Sequence, residues 1–522
     1  MVHDEPHTPP FSDFAHFENT SVWKRKAVEE KIAACDLRLA AAEKEIQHLR
    51  ATRFGLNELL NRTSLIMSTL PLDVLTEIFA VICEKPTASF DYGALPGQFQ
   101  IGAVCRAWRE IAWSTPKLWT TIYIVFSQGR YATQERLLRE WVERAANCPL
   151  QIYLSVSYSS QVQWEPPREI FRMLLKTCHQ WKSFIYDFSS ISFPSALNQS
   201  KNLTFPLLET LQVHGGEERG WDDKQVWNFN STPQLRHLNV RGHRRSFSVN
   251  INWSTLTHLS AMFELPGCVH LLTLPHSLQK LTLSVLSSHG HLHHSGIDRL
   301  RYHPRHLTSL VIEGGARLVG LLLRQMTLPA LKELDIDLYD DGLNYAWISV
   351  VTELAQRSTF PLTDLTLRQA TVRDEDRILQ VFAAIPSIER LELDCSDLSG
   401  FSLSNRSISL LQPVFQHNNQ NEIAFLPSVT TFKYKGNISF SVDCFENLIR
   451  KRIQAVKEGR ISSNNANIAN EFHIDITYRN ISWHQNRNPN DLQQFYMAIT
   501  SLLSVSFSMG VTFKLEWAED DT

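Results

Sequence analysis

"PALKELDI", residues 329 to 336, opens on a proline and then alternates apolar with polar side chains. In an extended chain Leu334 and Ile336 share one face, Glu333 and Asp335 point to the other, and Leu331 leads into the strand. The same pattern, P-x-L-x-x-L-x-[LVI] in full or in part, returns in "PLLETLQV", "PQLRHLNV", "STLTHLSA", "HSLQKLTL", "RHLTSLVI", "FPLTDLTL", "PSIERLEL" and "PSVTTFKY". Its first apolar positions are Leu208, Leu235, Leu256, Leu278, Leu307, Leu331, Leu362, Ile388 and Val429, at irregular intervals that cluster in the twenties of residues. Trp181-x-x-Phe184-x-Tyr186 reads as an earlier member of the series.

Between these short strands lie helical patterns. Trp347, Val350, Val351 and Leu354 recur at i, i+3, i+4 and i+7, and Ile378, Val381, Phe382 and Ile385 do the same. A strand plus a helix repeated many times predicts a divergent leucine-rich-repeat β/α solenoid over 123–522, with a parallel sheet inside and helices outside. The Asn or Cys expected after the last apolar strand position is mostly missing, and an ordinary α/β domain is the alternative. Near the end, Phe472, Ile474, Ile476 and Tyr478 alternate as a strand, as do Val511, Phe513, Leu515 and Trp517. A helix capped by Asp491 is expected between them as part of a closing element.

If the apolar strand positions point inward, their neighbours line the concave face. The early repeats place His214, His237, Asn239, Arg241, His258 and Lys280 there. The middle ones place Glu313, Glu333, Asp335, Asp337, Asp364, Glu392 and Asp394, interrupted by Arg368 and Arg390, and the last gives Lys433 and Lys435. An acidic band of this kind would hold a basic segment of a protein substrate. Exposed strand residues must be polar whatever the function, which is the plainer account of the same residues.

Upstream the pattern changes. Residues 1–22 are proline-rich and polar and read as a disordered tail. Over 23–64, Val28, Ile32, Cys35, Leu39, Ala42, Ile46, Leu49, Arg53, Leu56 and Leu60 alternate spacings of four and three, a heptad seam flawed at Arg53. A coiled-coil dimer or a long helix lying along the next domain would both satisfy it. The weak seam residues Cys35, Ala42 and Arg53 favour the second. Over 65–122, "LPLDVLTEIFAVI" places Val74, Leu75, Ile78, Phe79 and Ile82 on one helix, with Pro71 suited to its first turn. The loop "EKPTASFDYGALPG" follows, and then "VCRAWREIAWSTPKLW" spaces Val104, Cys105, Trp108, Ile111 and Ala112 as one apolar stripe ending near Pro116.

Leu70-Pro71, Val74-Leu75, Ile78-Phe79, Val104-Cys105, Trp108, Ile111-Ala112 and "STPKLW" together resemble a fungal-type F-box, including the heptad helix that often precedes it. The long insertion around Glu84 to Gln98 departs from that pattern. The resemblance implies docking on the Skp adaptor of a cullin-scaffolded ubiquitin ligase through Leu70, Pro71, Val74, Leu75, Ile78, Phe79, Val104, Cys105 and Trp108, some of which must serve as core. The repeats would then hold an unknown protein substrate.

A net formal charge of −3 over 522 residues gives no reason to expect nucleic acid. The eight cysteines form no CxxC pair, which fits free thiols in the cytosol or nucleus, and no apolar run is long enough to span a membrane. No GxSxG, HExxH, P-loop or GxGxxG motif is present, so no enzyme and no cofactor are expected. His289, His291, His293 and His294 crowd one stretch without the fixed spacing of a zinc site, and Asp335, Asp337, Asp340 and Asp341 lack the glycine and terminal Glu of a calcium loop. The expected whole is α/β: a heptad helix, a helical F-box-like module and the repeats, acting as a substrate receptor. A repeat scaffold without a ligase is the alternative.

Overall fold

The computed structural model describes residues 22–63, 69–83, 96–156, 167–187, 192–200, 202–214, 226–241, 248–274, 277–286, 302–339, 346–368, 375–395, 402–412, 428–457, 472–478, 497 and 511–517. The chain divides into two compact units, Met1–Trp119 and Thr120–Thr522. The histidine-rich stretch 289–294, Asp340 and Asp341, the expected helix at 491–503 apart from Met497, and most of the expected N-terminal tail lie outside the described residues.

In the first unit, α1 (Val22–Arg62) is one continuous helix. Two helices at the expected places follow, α2 (Leu72–Cys83) and, after an unforeseen α3 (Gly97–Val104), α4 (Arg106–Ser114). The sequence stripe from Val104 to Ala112 therefore does not lie on one helix. Cys105 is extended, with φ −158° and ψ 172°, and caps α4 by accepting from the Trp108 N–H at 3.5 Å. Val104 belongs to the end of α3 and is exposed.

The tryptophans are mostly packing. Trp113 and Trp119 meet edge to face at 5.4 Å, Phe99 closes the group at 5.9 and 6.0 Å, and Trp108 lies 4.9 Å from Phe79. The Trp119 indole N–H donates to the Ala112 carbonyl at 2.7 Å, so its polar atom is satisfied as the ring is buried. At Gly102 an added Cβ would sit 2.3 Å from the Trp113 ring, so the close approach of α3 to α4 requires glycine there.

The second unit is built on a 15-stranded sheet, and along its main path the strands stand in chain order from Thr121–Phe126 at one edge to Val511–Trp517 at the other. The described pairings are parallel, as strand, crossover, strand steps require. A separate two-stranded sheet pairs Val226–Asn228 with Ser248–Asn250. The expected strands at 472–478 and 511–517 are present, as are helices Ala346–Ser358 and Glu375–Ala384.

The repeat pattern becomes two buried ladders. In one, Ile122, Ile152, Phe184, Leu211, Leu238, Leu259, Leu281, Leu310, Leu334, Leu365, Leu391, Phe432 and Ile474 stand side by side across successive strands. The second runs two residues further along, through Leu283, Ile312, Ile336, Leu367 and Leu393 to Tyr434 and Ile476. Each buried leucine contributes about 1.5–3 kcal/mol relative to exposure. The lead positions from Leu208 to Val429 are buried as well.

The repeat is also written in the backbone. The carbonyl just before one strand accepts two successive N–H groups from the next repeat: Lys332 O accepts from Thr363 and Asp364, and Thr363 O from Glu389 and Arg390. The same arrangement recurs from Glu209 to Glu389 and fixes the register of neighbouring strands. Late in the sheet the buried Arg452 of helix Val442–Lys457 ties two elements together. Its Nη2 donates to the Leu411 carbonyl at 2.6 Å and its Nη1 to Val429 at 3.3 Å. Burial pushes this guanidinium down to about 10, and these carbonyls solvate the charge.

Candidate functional site

An α-helix that is apolar on more than one side has more hydrophobic surface than its own core needs. On α2 the residues divide cleanly. Leu75 and Phe79 are buried at 3% and 0% exposure, and Phe79 packs against Trp108. Val74 and Ile78 are each 44% exposed, and Val81 and Ile82 continue their stripe along the helix by one more turn. Leu72 and Pro71, at the start of the helix, and Val104, at the end of α3, are exposed too, while Leu70 is half-buried.

The residues expected to dock an adaptor are thus of two kinds. Leu75, Phe79 and Cys105 are core, Trp108 is half-buried against Phe79, and Pro71, Val74, Ile78 and Val104 remain on the surface. Periodicity could not separate the two sets, because adjacent stripes at i and i+1 differ by only a fraction of a turn. Leu72, Val81 and Ile82 complete the exposed set. The signal for Val81 was in the sequence as i+7 from Val74.

The second candidate surface is the polar face of the sheet. Parallel sheets are ordinarily covered on both faces and read as continuous apolar runs. Here alternate residues are polar and half-exposed, a pattern that leaves one face polar among the described residues. Glu313, Glu333, Asp335, Asp337, Asp364, Glu392 and Asp394 do fall together on neighbouring strands of this face.

They do not form a uniformly acidic wall. Arg368 bridges to Asp335 at 3.0 Å, Arg390 pairs with Asp364 directly opposite it, and Lys433 and Lys435 approach Glu392 and Asp394 at 3.9 and 3.6 Å. Glu313 accepts from the Ser284 hydroxyl at 2.6 Å. Acid on one strand meets base on the next, which turns the expected band into a cross-strand ladder of opposite charges. Burial pushes the Asp335 carboxyl above its ordinary range. Arg368 pulls it back, and the Asp337, Glu392 and Glu313 carboxylates push it up.

At the early end of the face, His237 and His258 stand with ring centroids 4.3 Å apart and planes tilted by 35°, and Lys280 occupies the next strand in register. Burial, His237 and Lys280 hold the His258 imidazole below its ordinary value. Among the described residues no three His, Cys, Asp or Glu side chains are placed to hold a metal ion, and no described helix is long and apolar enough to cross a membrane.

With this geometry as the background, the chain matches no model of a known protein family, and it matches no curated protein.

Proposed function

We propose that this chain is the substrate-recognition subunit of a Skp–cullin–F-box type ubiquitin ligase, with the helical unit docking on the Skp adaptor and the sheet unit, as a leucine-rich-repeat solenoid, binding the substrate. The observation that carries the reading is the exposed stripe Val74, Ile78, Val81 and Ile82, standing beside a separate buried stripe on the same helix. An apolar patch that the fold does not consume is a usual mark of a protein interface. It falls on the segment whose LP, IF and TPxLW residues resemble an F-box.

The chain-order parallel sheet, the strand-to-strand carbonyl pattern and the polar face support the repeat reading of the second unit. A substrate held there would be modified by proximity, because tethering raises the effective concentration of its lysines near a ubiquitin thioester carried elsewhere in the assembly. Acid and base are interleaved on this face, so it would read a partner with alternating charge in preference to a purely basic one.

Calorimetry of the full chain with purified Skp adaptor tests the reading. Micromolar or tighter binding is expected. Val74→Asp with Ile78→Asp should abolish it while the chain still unfolds in a cooperative thermal transition, because both side chains lie at the surface, 44% exposed, and not in the core. Leu75→Asp is unsuitable, since it would place a charge in the core. A folded chain that does not bind the adaptor would overturn the ligase assignment and leave a repeat scaffold.

A further inference from the structure

The longest helix leaves its apolar seam in water. Along α1, Ile32, Leu39, Ile46, Leu49, Leu56 and Leu60 are all exposed, between 47% and 69%. The expectation that this helix lies along the neighbouring module through its seam is therefore corrected. It meets that module at the Glu58 carboxylate, which accepts the Arg106 backbone N–H at 2.9 Å. In the heptad frame Glu58 sits at f, on the side opposite the a and d seam. The helix is fastened by its back and presents its front.

We propose that α1 is one strand of a parallel, in-register two-stranded coiled coil whose other strand is α1 of a second copy of this chain. The frame puts Ile32, Leu39, Ile46, Arg53 and Leu60 at a, and Val28, Cys35, Ala42, Leu49 and Leu56 at d. Ile32 and Ile46 at a, with Leu49 and Leu56 at d, match the β-branched-a, leucine-d preference of two strands, and a single polar residue at a, here Arg53, fixes register at some cost in stability.

The flanking charges choose the partner and its direction. In a parallel dimer each g residue faces the e residue five positions on in the other strand. Lys31 then faces Asp36, Arg38 faces Glu43 and Glu45 faces Arg50, each pair opposite in sign. In the antiparallel overlap of the same seam Glu43 would face Glu43 and Glu45 would face Glu45, with Asp36 facing Arg50 as the attractive contact, so fewer pairs are opposite in sign than in the parallel arrangement. The sequence of one strand thus complements an identical strand running the same way. Dimerisation would make every docking surface of the chain bivalent.

Sedimentation equilibrium of the full chain at micromolar concentration should give twice the 59.9 kDa mass of one chain. Leu39→Asp with Ile46→Asp should return it to a monomer with the thermal transition of the sheet unchanged. Lys31→Glu with Arg38→Glu in one chain, and Asp36→Lys with Glu43→Lys in another, should each weaken self-association and restore it when mixed. Cys35 is the one exposed thiol among the eight cysteines and lies at d, so mild oxidation with copper–phenanthroline should give a covalent dimer that Cys35→Ser abolishes. A monomeric wild-type chain, a dimer that survives the seam substitutions, or mixed charge variants that stay apart would each overturn the proposal.

Discussion

The two units spend their apolar residues differently. In the sheet unit the leucines and isoleucines of the repeat pattern are buried in ladders, so the pattern is consumed by the fold. In the helical unit, similar residues at equally regular spacing are divided, with Leu75 and Phe79 inside and Val74, Ile78 and the seam of α1 in water. Regular spacing therefore reports secondary structure in both units, while only exposure tells which stripe is left for a partner.

Truncation separates the two uses most sharply. Phe79→Ala and Leu334→Ala should each destabilise their own unit, by about 3–5 and about 2–5 kcal/mol respectively, because both leave a cavity among buried neighbours. Ile78→Ala, one residue from Phe79, should change stability by less than about 0.5 kcal/mol. Urea unfolding followed by far-ultraviolet circular dichroism reads each loss as a shift of the unfolding midpoint of the variant against the parent chain. A large loss of stability in Ile78→Ala would merge the two stripes into one core and remove the contrast.

The polar face of the sheet sharpens the comparison from the other side. There the question is whether the exposed residues are engaged with each other or left for a ligand. A double-mutant cycle on Asp364→Asn and Arg390→Gln should give a coupling of about 0.2–1 kcal/mol that shrinks as salt is raised, as expected for half-exposed pairs. A coupling near zero at low salt would free these charges from each other and return the face to an acidic band.

The sheet was legible because each strand carries its own copy of the same signal. Leu331, Leu334 and Ile336 repeat what Leu307, Leu310 and Ile312 state, and chain order then follows from parallel crossovers. Its first two strands escaped the full motif. Leu150, Ile152 and Leu154 alternate without the leading spacing, and Ile122, Ile124 and Phe126 follow Leu118 by one residue too many. The helical unit was read less well for a physical reason. Cys105 interrupts what looked like one helix, and nothing in a 3.6-residue period marks a single extended residue. Helix α3 went unread between the loop that ends at Gly97 and the stripe that starts at Val104, because Gly97, Gly102 and two glutamines blur its face, although Gln98 is buried and donates to the Leu118 carbonyl. The charge ladder needed register, which the repeat spacing supplies only after the strands are aligned.

The smallest effect concerns the early end of the polar face. Protonating His258 would place a cation beside His237 and Lys280 in a partly desolvated position, so the folded chain holds its imidazole below the ordinary value of about 6.5. The unfolded chain therefore takes up that proton first as pH falls. Stability should be unaffected above the unfolded value, should decline as pH drops below about 6.5, and should level off once pH has passed the lowered folded value. His258→Gln removes the titration and should flatten this part of the profile, which urea midpoints between neutral pH and pH 5 would read. The apolar ladders beneath carry no titrating group at Leu259 or Leu281, so a decline that persists in His258→Gln must originate elsewhere in the chain and would detach the pH response from this face.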